Sequence, residues 1–69
     1  MEQIHLKEDF IKLGQALKAT GVVSSGVDAK IVIQEGLVKV NGETETRRGR
    51  KLYSGDIVLF ETEEIHITK

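Results

Sequence analysis

The sequence has 69 residues, with ten Lys and Arg against eleven Asp and Glu, and it contains no cysteine, proline or tryptophan. A chain of this length, residues 1–69, forms a single domain and buries only about 60% of the surface that its unfolded form exposes, which leaves little room for an enclosed active site. The absence of cysteine excludes a disulfide framework and a Cys-type zinc site. The longest apolar runs have four residues, such as Ile57 to Phe60, too few for a membrane-spanning helix. The first residues lack the features of a signal peptide, and we expect a cytoplasmic protein.

The charge is unevenly distributed along the chain. Residues 1–36 have four cations against five acids, residues 37–51 have five against two, and residues 52–69 have one against four. The net charge of −1 therefore combines a basic middle segment with an acidic C-terminal one. All arginines lie between positions 47 and 50, and arginine is suited to bidentate contact with phosphate. The cluster predicts an anion-binding surface, although a solvated loop with no partner explains it equally well.

The first predicted helix extends from Glu8 to Ala19. Phe10, Leu13 and Leu17 follow the helical period, and Gly21 is a suitable C-cap. A glycine at position 14 costs about 1 kcal/mol relative to alanine inside a helix, which indicates a close approach by another segment.

The second predicted helix extends from about Gly26 to Glu35. Ser25 is a good N-cap, Asp28 lies three residues further on, and Gly36 ends the helix. The predicted inner face consists of Ala29, Val32 and Ile33.

After Gly36 the apolar period changes to two, which predicts strands. Val38 and Val40 precede Asn41-Gly42, a strong hairpin signal, and the return strand over residues 43–47 is polar on both faces, as expected of a sheet edge. Residues 47–51 are a predicted loop or strand end, and residues 57–60 a buried strand. The alternating segments 4–6 and 65–67 are expected to pair with each other or with the sheet edge. The predicted fold class is α+β, with two helices packed on a small, mostly antiparallel sheet.

Catalytic and cofactor motifs are absent from the sequence. Three serines and two histidines are present, but their spacing gives no signature of a nucleophile with its base and orienting group. Two distant histidines are poor evidence for a metal site, and neither glycine-rich phosphate-binding motif occurs. We expect no catalytic residues, no metal and no cofactor.

The second predicted helix and the hairpin that follows it contain a series of residues that matches the pattern of a known family in the same order. The matching residues are Ser25, Ala29, Ile33, Gly36, Val38, Val40, Asn41 and Gly42. This series resembles the S-four (S4) RNA-binding domain. A Gly-Asp turn and a hydrophobic strand, expected later in that pattern, are present as Gly55 to Val58, and Leu13 and Leu17 have the family's leucine spacing. The resemblance covers roughly residues 10–60.

More narrowly, residues 29–40 and 45–48 are similar to the small stand-alone bacterial members of the YaaA/YbcJ type. Two positions depart from the family pattern. The usual Arg-Leu-Asp at the start of the first helix is Lys12, Leu13 and Gly14, and the Arg that commonly follows the helix-starting Ser is Gly26.

The resemblance implies an αL-motif fold whose helices and hairpin form a basic surface for structured RNA, with ribosomal RNA or a ribosome assembly intermediate as the expected partner and tRNA as another. We expect a monomer. The candidate RNA-binding residues are Lys12, Ser25, Lys30, Lys39, Arg47, Arg48, Arg50 and Lys51. For Ser25, ordinary helix capping is an equally good explanation. Phe10 and Phe60 are expected in the core, so only Tyr53 remains for base stacking, and recognition by shape and phosphate contacts is favoured.

Two alternatives remain open. A ubiquitin-like carrier domain also has V-N-G before a Gly-Asp turn, but such carriers act through a C-terminal Gly-Gly and lack two consecutive helices before that turn. In the second alternative, the RNA surface has decayed and the acidic residues 52–69 recruit a protein partner.

Overall fold

The computed structural model describes residues 2–69, which form two helices, a five-stranded sheet and a separate two-stranded ribbon. The elements in chain order are β1 (Glu2–His5), β2 (Ile11–Lys12), α1 (Leu13–Ala19), α2 (Gly26–Gln34), β3 (Val38–Val40), β4 (Glu43–Thr44), β5 (Lys51–Leu52), β6 (Ile57–Phe60) and β7 (Glu63–Thr68). The predicted α+β class is confirmed.

The five-stranded sheet has the order β1-β7-β6-β3-β4. The ladder between β1 and β7 is parallel, and the other three ladders are antiparallel. The two alternating terminal segments thus pair with each other, with Ile4 opposite Ile67. The β3–β4 hairpin forms at Asn41-Gly42, and β4 is an edge strand, as predicted.

Both helices cover one face of this sheet. The buried apolar residues of the sheet and helices are Leu13, Ala16, Leu17, Ala29, Ile33, Val38, Val40, Val58, Phe60, Ile65 and Ile67. Because side chains alternate along a strand, residues between these positions, such as Lys39 and Leu59, lie on the opposite, exposed face.

Asn41 joins the hairpin to the start of β6. Its backbone adopts a left-handed conformation with φ of 52°, which asparagine tolerates better than most residues. Its Nδ2 donates to Asp56 Oδ1 over 3.0 Å, and the N–H of Ile57 donates to its Oδ1 over 2.9 Å. The V-N-G and Gly-Asp segments that match the family pattern are therefore in direct contact.

The first helix begins at Leu13, and the prediction of a start at Glu8 was wrong. Ile11 and Lys12 instead pair with β5, where Ile11 lies opposite the fully buried Leu52. In this short ladder Leu52 is fully buried, and Ile11 is half-buried against the core. Phe10 is consequently only half-buried, and its predicted place in the core was also wrong.

Two expectations about the strands also need correction. The return strand ends at Thr44 rather than at residue 47, because Glu45 turns inward and is buried with only 6% of its surface exposed. Strand β6 is central but only half-buried, since Ile57 and Leu59 lie on the uncovered face. Among residues 2–69, neither helix has the length and apolar character needed to cross a bilayer.

Candidate nucleic-acid interface

The loop of residues 46–50 is hydrogen-bonded to the start of α1. The N–H of Leu13 donates to the Arg50 carbonyl over 2.8 Å, and the N–H of Gly14 donates to the Arg48 carbonyl over 3.0 Å. The first N–H groups of a helix have no acceptor within the helix, and a side chain normally supplies one. Here the loop carbonyls take that role, so forming the helix start also positions the loop.

Gly14 makes this close approach possible. A Cβ atom at this position would lie 2.6 Å from Arg48 Cγ and 3.2 Å from its Cδ. The side chain of Arg48 therefore lies directly across the first turn of α1. This contact accounts for a glycine inside a helix, where it is otherwise unfavourable.

The buried carboxylate of Glu45 holds the other side of the loop. Its Oε2 accepts the N–H groups of Thr46 and Arg47 and the Nε of Arg47 over 3.0 to 3.1 Å. Its Oε1 accepts Arg47 Nη2 over 3.0 Å and Arg50 Nη1 over 2.9 Å. One anion thus receives five hydrogen bonds and neutralises part of the positive charge of two arginines.

These contacts change the ionisation of the loop. The hydrogen bond from the Arg47 side chain lowers the pKa of Glu45 from 4.5 to about 2, with Arg50 and the Arg47 backbone N–H acting in the same direction and burial opposing them. The same contact raises the pKa of Arg47. Glu45 is therefore ionised at neutral pH.

An open groove of about 370 Å³ lies between α1, the start of α2 and the loop. We call it the basic groove, and its lining residues are Lys12, Gly14, Gln15, Lys18, Gly26, Arg48 and Gly49. Among residues 2–69, no acidic side chain forms an ion pair with Lys12, Lys18 or Arg48. The three cations are therefore available to an anionic ligand, and Gly26 and Gly49, where an added Cβ would meet no atom within 4 Å, leave the surface low enough for one to approach.

The structure brings Lys12 and Arg48 together and places other candidates elsewhere. Arg47 and Arg50 contact Glu45, beside the basic groove rather than in its lining. Lys51 lies opposite Lys12 in the β2–β5 ladder. These five residues differ in how much of their charge is available, because Glu45 pairs with Arg47 and Arg50.

The remaining three candidates lie outside the groove lining. Ser25 Oγ accepts the N–H of Asp28 over 3.2 Å and so caps α2. Lys30 is exposed further along α2. Lys39 lies on the sheet face opposite the helices, because Val38 and Val40 on either side of it point into the core.

Sequence reasoning missed two residues of the groove, Gln15 and Lys18. Gln15 Oε1 accepts the N–H of Lys12 over 3.3 Å, and Lys18 lies one turn further along α1. The spacing of Gly14 and Lys18 at i and i+4 places them on one helix face. That spacing could have indicated that Lys18 lies on the same face as Gly14, but the sequence prediction relied on the arginine cluster.

With this geometry established, comparison with known proteins identifies the family. A family model described as "S4 domain" matches residues 4–68, beyond the span of roughly 10–60 expected from the motifs. The chain belongs to the S4 domain family. Its fold and its pattern of glycines and apolar residues are those of an S4 member.

Curated S4 relatives match over most of their length. The "Probable ribosome maturation protein RlbA" of Bacillus subtilis (strain 168) is 48% identical over 58 residues, covering 84% of this chain and 82% of the relative. The "Putative RNA-binding protein YbcJ" of Escherichia coli (strain K12) is 39% identical over 61 residues, covering 88% of this chain and 87% of the relative.

A solved structure also matches, with a TM-score of 0.76 and 37% identity, covering 100% of this chain and 89% of the other. It is the solution structure of YbcJ from E. coli, described as revealing an αL motif involved in RNA binding. The predicted αL-motif fold is confirmed by this match.

The buried Glu45 leads to a pH-dependent prediction for the variant Glu45→Gln. The pKa of Glu45 is lower in the folded protein, so its ionised form stabilises the fold above about pH 4.5, and this contribution is lost as the pH falls toward about 2. At pH 7 we expect the variant to lower the free energy of unfolding by about 1 kcal/mol, a modest value because Arg47 is largely exposed. Urea unfolding at pH 7, 4 and 3 should show the difference shrinking.

The matched control is Glu43→Gln, which removes a neighbouring exposed carboxylate on β4. We expect this change to stay within about 0.5 kcal/mol at each pH. A Glu45→Gln difference that is independent of pH, or no larger than the control, would contradict the stabilising role of the anion.

Proposed function

We propose that this protein binds structured RNA through the basic groove and catalyses no reaction. The observation that carries the proposal is the convergence of Lys12, Lys18 and Arg48 on one open groove, with no acidic partner for them among residues 2–69. Family membership and the αL motif described for the YbcJ structure support RNA as the ligand.

The shape of the groove favours a folded RNA over a single strand. It is open and lined by long cations and glycines rather than by aromatic rings. An A-form duplex has a deep, narrow major groove, so proteins contact its phosphates and 2′-hydroxyls instead of its base edges. Lys12, Lys18 and Arg48 suit the phosphates, and the amide of Gln15 can both donate to and accept from a 2′-hydroxyl.

We infer that the RNA is ribosomal RNA, free or in a ribosome assembly intermediate, and that the protein acts as a monomer in the cytoplasm. The name of the B. subtilis relative, a probable ribosome maturation protein, supports this choice over tRNA. The proposed phosphate contacts are Lys12, Lys18 and Arg48, with Lys51 adjacent to Lys12. Contacts from Ser25, Lys30, Lys39, Arg47 and Arg50 stay predictions.

The first test of RNA binding is its dependence on salt. Binding that engages about four cations gives a slope near −3 in a plot of log K against log salt concentration. We expect Arg48→Ala to weaken binding to unrelated structured RNAs by similar factors and to make the slope shallower by about 0.7 to 0.9. Fluorescence anisotropy of labelled RNA hairpins at several salt concentrations measures both effects.

The matched control for Arg48→Ala is Lys69→Ala, since Lys69 Nζ already pairs with Asp9 Oδ1 over 3.0 Å outside the groove. This variant should leave the slope nearly unchanged. Equal losses for Arg48→Ala and Lys69→Ala would indicate nonspecific charge attraction, and a slope unaffected by Arg48→Ala would exclude the groove as the site.

A substitution at Gly26 tests whether an added positive charge in the basic groove tightens RNA binding. The family commonly has an arginine here, Gly26 lines the basic groove, and a Cβ atom at this position meets no heavy atom within 4 Å. We expect Gly26→Arg to steepen the salt slope by about 0.7 to 0.9 because it adds one phosphate contact. The control Gly26→Gln also replaces the helical glycine by a better helix former, but without a charge. Equal affinities of the Arg and Gln variants would contradict the proposed path of the RNA.

A further inference from the structure

The ribbon formed by β2 and β5 has two chemically different faces. Ile11 lies opposite Leu52 in the ladder, and both pack against the core. Lys12 lies opposite Lys51, so by strand alternation these two side chains occupy the outer face. The residues that flank the ladder on the same face are Phe10 and Tyr53, whose ring centroids are 6.0 Å apart. The outer face thus combines two cations with two aromatic rings.

The two rings differ in how much of their surface is available. Phe10 is half-buried, and Lys51 Nζ lies 4.8 Å from the centre of its ring, within the range of a cation–π contact. Tyr53 leans on Phe10 at an interplanar angle of 50° and is 50% exposed. Phe10 therefore packs against Tyr53, while half of the tyrosine residue faces solvent.

Together these observations point to an unpaired nucleotide as a ligand of this face. We propose that Tyr53 stacks an unpaired base of the bound RNA while Lys12 and Lys51, the neighbouring cross-strand pair on the same face, neutralise phosphates next to that base. A nucleotide carries both a flat π-system and an anionic backbone, which complements an exposed ring with a pair of lysines next to it on the same face. We call Phe10, Lys12, Lys51 and Tyr53 the ribbon site.

The ribbon site is continuous with the basic groove. Lys12 belongs to both, since it lines the groove and also lies opposite Lys51 in the ladder. An RNA backbone that follows Lys18, Arg48 and Lys12 therefore arrives beside Tyr53. This inference rests on the proposed function and narrows its ligand to a duplex interrupted by an unpaired nucleotide. Lys12, Lys51 and Tyr53 were each considered from the sequence, but their association was not, because Phe10 was expected in the core.

The composition of the chain supplies a built-in probe for this proposal. Tyr53 is its only tyrosine and there is no tryptophan, so intrinsic fluorescence reports on this ring alone. The experiment compares two RNA hairpins with the same stem, one fully paired and one with a single bulged adenosine. We expect the bulged hairpin to bind more tightly by at least about fivefold, the lower end of what one stacked base contributes, and to quench the tyrosine fluorescence more strongly at saturation.

Three variants separate stacking from other roles. Tyr53→Leu keeps an apolar side chain without a ring and should abolish the preference for the bulged hairpin, whereas Tyr53→Phe should retain it. Arg48→Ala should weaken both hairpins by similar factors and leave the preference intact. Thermal unfolding of each variant verifies that the domain is folded at the assay temperature. The fluorescence comparison of the two hairpins uses the wild-type protein and so does not depend on the folding of any variant.

Stacking on Tyr53 and RNA binding through the basic groove fail in different ways in this experiment. Equal affinity of the wild-type protein for both hairpins, with equal quenching, overturns the ribbon site but leaves RNA binding through the groove in place. A Tyr53→Leu variant that weakens both hairpins equally also overturns it, because the ring is then structural. Loss of salt-dependent binding to either hairpin overturns the proposed function itself.

Discussion

The hydrogen bonds from the first turn of α1 to the loop carbonyls of Arg48 and Arg50 both cap the helix and fix the conformation of the loop. A helix start needs acceptors for its N–H groups, and a charged loop needs a fixed conformation before it can present a side chain to a ligand. Because each segment satisfies the other, Arg48 is held against α1 and beside Lys12 and Lys18. The glycine at position 14 is required for this arrangement, since a side chain there would collide with Arg48.

The buried Glu45 determines how the positive charge of the loop is used. Removing a carboxylate from water is costly, but five hydrogen bonds and two guanidinium groups offset that cost. As a result, Arg47 and Arg50 share one anion and organise the loop, while Arg48 remains without an ion-pair partner among residues 2–69. The basic segment therefore contains both the structural and the ligand-facing parts of the interface. The net charge of −1 therefore says little about affinity for RNA.

Local patterns predicted much of the fold, and contacts between distant segments determined the rest. The cap at Ser25, the Asn41-Gly42 hairpin and the alternation near both termini each depend on a few neighbouring residues, and all were identified correctly. The predicted start of α1 was wrong because the true start depends on the pairing of Ile11 with Leu52. These residues are distant in the sequence, so no local pattern indicates that they pair.

Less of the candidate site than of the fold could be predicted from the sequence. Lys12 and Arg48 were identified from their charge and from the family pattern, but sequence did not show that Arg47 and Arg50 would bind a buried Glu45. Nor did it show that Lys18 would complete the groove. Both facts depend on the tertiary course of residues 46–50, which the hydrogen bonds to α1 fix.

Occupation of the basic groove by structured RNA can be followed through the glycine amide signals of the isotope-labelled protein. Gly14, Gly26 and Gly49 line the groove, whereas Gly42 and Gly55 lie outside its lining. In two-dimensional ¹H–¹⁵N spectra recorded during titration with an RNA hairpin, we expect the signals of Gly14, Gly26 and Gly49 to shift and those of Gly42 and Gly55 to stay unchanged. Shifts of Gly42 and Gly55 with no change at Gly14, Gly26 and Gly49 would contradict occupation of the basic groove.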